Sequence, residues 1–222
     1  MAADLPAITV HLPIRIGVVA VTGMTISGDP GAFAELERCA ASYRERHGAT
    51  PISEVPEVGV ARRLFRALGI EPTKHRPASE ALLRRALKDK GFHAVNTAVD
   101  VANWCSLDFL RPICAYDLAK VEGDIAIRPG REDEEYEGIN RRMVHLAGRY
   151  ALVDDRGPFG SPITDSLRTA IGTETASGLF LMFGPADDDA DLLRRRTAEM
   201  GARLERFCGG TAGEVRVLTG TG

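Results

Sequence analysis

Short apolar runs and amphipathic stretches alternate along the chain and predict a mixed α+β protein. Two early strands are predicted at residues 8–12 and 15–24, separated at Pro13. The second is apolar on both faces, which is typical of a central strand. Glycine-punctuated segments in the second half predict further strands at residues 125–127, 143–153 and 179–183, and residues 214–218 predict a last, edge strand.

Helices are predicted where apolar residues recur with helical spacing, at residues 32–47, 59–68 and 187–208, with one more beginning at Ser79. Gly69 follows the second of these in the position that ends many helices. Ser79 is expected to cap the next helix through its hydroxyl.

One further helix carries a narrow polar stripe. Asn96, Asp100 and Asn103 have the spacing i, i+4 and i+7, and the residues between them are mostly apolar. On a helix this spacing stacks three short polar side chains on one face. Such a stripe either ties the helix to neighbouring backbone or lines a pocket, since buried polar groups need partners.

The composition suits one domain with a substantial core. The chain has 222 residues, 44% of them hydrophobic, and a net charge of −3. Its four cysteines lack the spacing of a zinc site, and neither a metal nor an organic cofactor is implied. Reduced thiols and the absence of a signal peptide or a run of about 20 apolar residues indicate a cytoplasmic protein without a membrane partner.

The charge is unevenly distributed. Residues 60–90 contain nine Lys and Arg against three Asp and Glu, whereas residues 117–137 contain eight acids against three bases. One interpretation is that the basic segment forms solvated helix faces and that the acidic segment contains an exposed turn. The alternative is that the basic segment receives an anionic partner, such as an RNA acceptor stem.

Four motifs in this order resemble the B3/B4 domain of the bacterial phenylalanyl-tRNA synthetase β chain, and in particular its free-standing versions. They are S-E-A-L-x-R-R from Ser79, N-x-x-V-D-x-x-N from Asn96, P-x-x-A-Y-D from Pro112 and G-D-I-x-I-R from Gly123. The similarity covers about residues 60–183. It implies a single B3/B4-like domain over residues 1–222, with a β-sandwich-like sheet core, flanking helices and extensions at both ends.

The resemblance implies an editing deacylase that hydrolyses mischarged aminoacyl-tRNA in trans, with tRNA and not DNA as its partner. Asn103 is the first candidate for catalysis, because its amide both donates and accepts. The hydroxyls of Ser166 and Thr169 are candidates to orient a water, or else to cap strands and turns. The implied substrate pocket comprises Asn96, Asp100, Ala102, Trp104, Pro112, Cys114 and Tyr116.

The sequence departs from the synthetase pattern at Cys114, where the family has a histidine, and it lacks the family's strand glutamate near residues 179–183. Cys114 is interpreted as a small buried side chain, and Asp100 is expected to pair with Arg85 or Arg128. The RNA-binding candidates are Arg62, Arg63, Arg66, Lys74, Arg84, Arg85 and Lys88. The alternative function is a non-catalytic module that binds tRNA, an amino acid or a protein.

Overall fold

The computed structural model describes residues 5–161 and 164–221 and contains two main β-sheets and five α-helices. The helices are α1 (Pro30–His47), α2 (Val58–Ala67), α3 (Ala78–Leu87), α4 (Thr97–Phe109) and α5 (Ala190–Cys208). The strands are β1 (Ile8–Val10), β2 (Ile14–Thr22), β3 (Ile113–Asp117), β4 (Ile125–Pro129), β5 (Glu135–Glu137), β6 (Met143–His145), β7 (Tyr150–Asp154), β8 (Gly157–Gly160), β9 (Ser177–Pro185), β10 (Thr211–Ala212) and β11 (Arg216–Thr219).

The strands form a sandwich. One sheet has the order β1-β4-β7-β8, and the other has the order β10-β2-β9-β3, with β11 also paired to β2. Neighbours are antiparallel except β1 and β4, which run parallel. Strands β5 and β6 form a separate hairpin. The predicted α+β class with a sandwich-like core and flanking helices is confirmed.

The central strand β9 shows how the layers are arranged. Leu179, Leu181 and Phe183 join the core between the two sheets, whereas Phe180 and Met182 join the core beneath α4 and α5. Successive strand residues point to opposite faces, and both faces of this strand are therefore buried. A third apolar cluster joins α1, α3 and α4. The molecule consequently has a helical layer stacked on two sheet layers.

Local sequence signals predicted most of the helices and strands, but two predictions were wrong: a single strand at residues 143–153 and the cap of α3. Gly69 follows α2 with a φ of +70°, as predicted. The segment predicted as one strand, 143–153, is two strands, since the chain turns at Gly148, which also has positive φ. Ser79 is not the cap of α3. The helix begins at Ala78 directly after Pro77, and the Ser79 hydroxyl is buried without a hydrogen-bond partner among the described residues.

A buried arginine joins the helical layer to the end of the central sheet. Arg111, 1% exposed, donates two hydrogen bonds to Asp188, at 2.9 and 3.0 Å, and pairs with Glu57 at 2.9 Å. Arg196 reaches the same Glu57 carboxylate at 3.2 Å. No sequence motif pointed to this network.

None of the helices in the described ranges has both the length and the apolarity needed to cross a membrane.

Replacing Arg111 should make the protein much easier to unfold. Arg111→Met leaves Asp188 buried without its partner, and we expect a loss of about 3–5 kcal/mol in the free energy of unfolding. Urea denaturation would measure it. The matched control is Arg156→Met, whose exposed pair with Glu122 should contribute only about 0–1 kcal/mol. Equal losses in both variants would contradict a structural role for the Arg111 network.

Candidate functional site

The polar residues at the start of α4 bind neighbouring backbone. Asn96 is the N-cap of this helix, with extended backbone, and its side chain accepts from Val99 N at 3.0 Å. Asp100, 2% exposed, accepts from Val95 N at 3.1 Å. The expected ion pair of Asp100 is wrong, because Arg85 donates to the carbonyl of Gly91 and Arg128 pairs with Glu134. Burial raises the pKa of Asp100, which has no cationic partner among the described residues.

Asn103 faces a groove between α3 and α4 of about 330 Å³. Within the described chain, its amide makes no hydrogen bond to the protein. Arg76 and Arg85 stand in the same groove, together with Ala102 and Ser106. This arrangement leaves one free amide beside two cationic side chains, which suits an oxygen-rich or anionic ligand.

Trp104 lies away from this groove. Its ring packs under the guanidinium of Arg203, whose Cζ is 3.8 Å from the ring centroid, and contacts Phe207 edge-on. Consecutive helical residues are about 100° apart, so Asn103 and Trp104 serve different neighbours. The structure therefore brings Ala102 and Asn103 together and places Trp104 against α5.

Strand β3 separates the remaining pocket candidates from Asn103. Ile113 belongs to the helical side of the sheet, whereas Cys114 and Tyr116 belong to the core between the sheets. Pro112 is buried just before the strand, and its carbonyl accepts from Phe183 N. The pocket expected from the sequence is thus divided between the two faces of β3. Because β3 is an edge strand, both faces end at the same side of the sandwich.

An aspartate that was not among the site predictions meets Cys114 and Tyr116. The Tyr116 hydroxyl donates to Asp165 Oδ1 at 2.6 Å, and the Cys114 thiol lies near the same carboxyl group. Burial raises the pKa of Asp165 to about 6, against the lowering effect of Tyr116 and Cys114. No Lys, Arg or His pairs with Asp165 in residues 5–161 and 164–221. A half-buried carboxylate with a raised pKa and no cation among the described residues is a candidate for a functional site.

Aromatic hydroxyls complete this inter-sheet cluster, which we define as Cys114, Tyr116, Tyr150 and Asp165. Tyr150 is 2% exposed, and its hydroxyl has no hydrogen-bond partner among the described residues. Cys114, Tyr116 and Tyr150 all belong to the core between the sheets. Burial raises the pKa of Tyr150 well above its usual value. Burial and Asp165 likewise raise the pKa of Cys114. Cys114 is therefore a thiol at neutral pH and a poor nucleophile.

Gly160 allows this cluster to close. A Cβ at Gly160 would lie 2.1 Å from the Tyr116 hydroxyl oxygen, so a larger residue would displace the ring. Gly160 also forms a β-bridge with Asp165. The glycine thus brings β8, the Tyr116 hydroxyl and the Asp165 backbone close together.

Ser166 and Thr169 are fully buried and hydrogen-bond to each other. Their hydroxyl oxygens are 2.9 Å apart, and the Thr169 carbonyl accepts from Asp117 N. The carboxylate of Asp117 accepts from Ala119 N and from the Thr175 hydroxyl, and it thereby fixes the turn that follows β3. The hydroxyl pair therefore fixes the segment that follows Asp165.

The basic candidates divide into two groups around Glu80. This carboxylate, 3% exposed, accepts two hydrogen bonds from Arg62 and one from Arg84. Although burial opposes ionisation, these bonds hold the pKa of Glu80 below its usual value. Arg62 and Arg84 are thus engaged with Glu80, which Arg76 also approaches at 3.8 Å, and Arg85 donates to the carbonyl of Gly91. The candidates that remain exposed are Arg63, Arg66, Lys74 and Lys88.

The chain belongs to the B3/4 domain family, whose model matches residues 60–203. The resemblance inferred from the four motifs is confirmed, and the matched region extends through much of α5. In the β subunit of phenylalanine–tRNA ligase from Brucella abortus, 163 residues are 26% identical, covering 71% of this chain and 20% of that subunit. The corresponding subunit from Rhodopirellula baltica is 40% identical over 74 residues, or 33% of this chain and 11% of that subunit.

A solved structure is also similar, an N-terminal fragment of the phenylalanyl-tRNA synthetase β-subunit from Pyrococcus horikoshii. The identity is 12%, the TM-score is 0.48, and the match covers 94% of this chain and 52% of the fragment. The chain spans about a fifth of the length of the Brucella ligase subunits that it matches.

The raised pKa of Asp165 should make the stability of the folded protein depend on pH. Its folded pKa is about 6 and lies above the unfolded value of about 4. The carboxylate therefore lowers stability above about pH 6, and this penalty disappears as the pH falls towards 4. We expect Asp165→Asn to raise the melting temperature at about pH 7.5 by more than at about pH 4.5.

Asp154 supplies the control of opposite sign. It is 6% exposed and pairs with Arg168 at 2.9 Å. Although burial opposes ionisation, hydrogen bonds from Arg168 and from backbone hold its pKa below the usual value. Asp154→Asn should therefore lower the melting temperature at neutral pH. If both variants shift the melting temperature in the same direction at neutral pH, the assignment for Asp165 is wrong.

Proposed function

We propose that this protein binds the aminoacylated end of a tRNA and hydrolyses a mischarged aminoacyl ester in trans. The family relation to ligase subunits that act with tRNA supports the choice of substrate. The observation that carries the proposal is the groove between α3 and α4. It presents the free Asn103 amide between Arg76 and Arg85. The proposed setting is the cytoplasm, where aminoacyl-tRNA is made and used.

The exposed basic residues of the segment 60–90 supply the proposed RNA contacts. Arg63 and Arg66 lie on the outer side of α2, and Lys74 and Lys88 are exposed nearby in the sequence. Phosphate contacts of this kind supply affinity without sequence specificity. Arg62 and Arg84 contribute indirectly in this proposal, because both neutralise Glu80 of α3. The Arg62 pair also joins α2 to α3.

The chemistry requires little beyond positioning. An aminoacyl ester is already activated, and a water held about 3 Å from its carbonyl, with a donor for the developing oxyanion, accelerates hydrolysis. In the proposal Asn103 orients the acceptor end, and the acyl group passes the edge of β3 towards the inter-sheet cluster. Ser166 and Thr169 take part by fixing the segment that carries Asp165.

A non-catalytic binding module is the second candidate function. It is favoured by the state of three side chains that hydrolysis would otherwise use: the hydroxyls of Ser166 and Thr169 bond to each other, and Cys114 is a buried thiol. Such a module would bind the same tRNA, amino acid or protein without cleaving an ester. The two functions give different results in the following assay.

A deacylation time course separates them. The purified protein is mixed with tRNAs carrying correct and incorrect amino acids, and we expect selective loss of one mischarged ester. Asn103→Ala should abolish turnover and leave the fold intact. The control is Asn96→Ala, which removes the α4 cap at a cost of about 1 kcal/mol without reaching the groove. An absence of cleavage across the panel would favour the binding module.

Charge reversal tests the RNA surface. Arg63→Glu together with Arg66→Glu should weaken tRNA binding and reduce the slope of log affinity against log salt by about 2, one for each lost phosphate contact. The control with the same net charge is Arg131→Glu together with Arg156→Glu, at exposed positions outside the basic segment. Equal weakening by both pairs would show that net charge, and not this surface, governs binding.

A further inference from the structure

The inter-sheet cluster combines a negative charge with an unfilled hydrogen-bonding position. The Asp165 carboxylate receives a hydrogen bond from Tyr116 and lies near the Cys114 thiol, but it pairs with no cation in the described ranges. The Tyr150 hydroxyl in the same cluster is buried and unpartnered. Burying such groups is unfavourable unless a partner arrives, and the partner that satisfies both is a hydrogen-bond donor with positive charge.

Aromatic rings lie near the carboxylate, and they favour one class of cationic ligand. Tyr116 packs edge-on against Phe159 with ring centroids 4.9 Å apart, and Tyr150 packs against Phe183 at 5.8 Å. A small organic ammonium gains from such rings as well as from a carboxylate. A metal ion would need several oxygen or nitrogen ligands, and the described residues contain no group of three acidic, histidine or cysteine ligands.

The cluster is also open to a ligand. Asp165 is only half-buried, and Cys114 keeps 7% of its surface exposed, so the cluster reaches solvent beside edge strand β3. At neutral pH the carboxylate is charged, because its pKa, although raised, is about 6. The site therefore offers an anion at its entrance and an uncharged phenol, Tyr150, in its interior.

We propose that Asp165, Tyr116 and Tyr150 form a subsite for the α-ammonium group of the aminoacyl ester. The inference rests on the proposed function, which supplies an ester with a free amine. Asp165 accepts from the ammonium group, Tyr150 accepts a second hydrogen bond, and Tyr116 holds the carboxylate in place. Asp165 and Tyr150 are thus binding residues, and Tyr116 is a positioning residue.

Binding of small esters tests this subsite without tRNA. The probes are the methyl esters of L-alanine, L-phenylalanine and L-tyrosine, each compared with the ester of the same acid lacking the amine. We expect calorimetry at neutral pH to detect at least one amine-bearing ester, bound about 10- to 100-fold more tightly than its counterpart. Asp165→Asn should remove this preference, and Tyr150→Phe should reduce it. Binding of no ester, or an equal preference in wild type and Asp165→Asn, would overturn the subsite.

A second assay links the subsite to turnover. A tRNA charged with the rejected amino acid is compared with the same tRNA after N-acetylation, which removes the ammonium charge and keeps the ester. The wild type should cleave the acetylated ester at least about tenfold more slowly, and Asp165→Asn should cleave both equally. Amine-dependent binding without any deacylation would refute the hydrolase and keep the subsite. Deacylation that ignores acetylation would refute the subsite and keep the hydrolase.

Discussion

The whole structure depends on burying both faces of the paired strands β2 and β9. Their residues alternate between the core that faces the second sheet and the core that faces α4 and α5. A strand covered on both sides must have apolar side chains at nearly every position, which is why residues 14–22 and 177–185 contain so few polar groups. The polar chemistry of the molecule is consequently concentrated at the edges, and β3 provides one of them.

The position of β3 explains the division of the candidate site. One face of the strand supports α4 and the Asn103 groove, and the other bears Cys114 and Tyr116 beside Asp165. Each side has a polar group without a partner among the described residues: the Asn103 amide in the groove, and the Asp165 carboxylate between the sheets. In the proposed function, the groove binds the phosphate or sugar of an aminoacylated nucleotide, and the carboxylate binds its amine. Such a ligand would cross the edge of β3.

Local signals in the sequence were sufficient to predict most helices and strands, whereas the sandwich-like core was predicted from the family resemblance. The apolar faces of β2, the spacing of α2 and the position of Gly69 each depend on residues close in the chain. Partnerships between distant residues had no such signal. Arg111 meets Asp188, 77 positions away, and Tyr116 meets Asp165, 49 positions away. Sequence spacing was also ambiguous within α4. The spacing of Asn96 and Asp100 suggested a polar stripe, but it fits an N-cap followed by a buried carboxylate equally well. The candidates Cys114, Tyr116 and Ser166 were each predicted to belong to the site, but nothing in the sequence indicated that Asp165 joins them.

Asp165 is a half-buried carboxylate with a raised pKa and no cationic partner among the described residues, and the candidate site depends on this state. A carbon-13 NMR titration of the aspartate carboxyl groups, assigned with Asp165→Asn, measures it directly. We expect the Asp165 signal to titrate with a pKa of about 6 and to move further upward in Tyr116→Phe, because the hydrogen bond from Tyr116 favours the ionised form. A pKa near the ordinary value of about 4, unchanged in Tyr116→Phe, would show that the carboxylate is solvated, and it would contradict the account of this site.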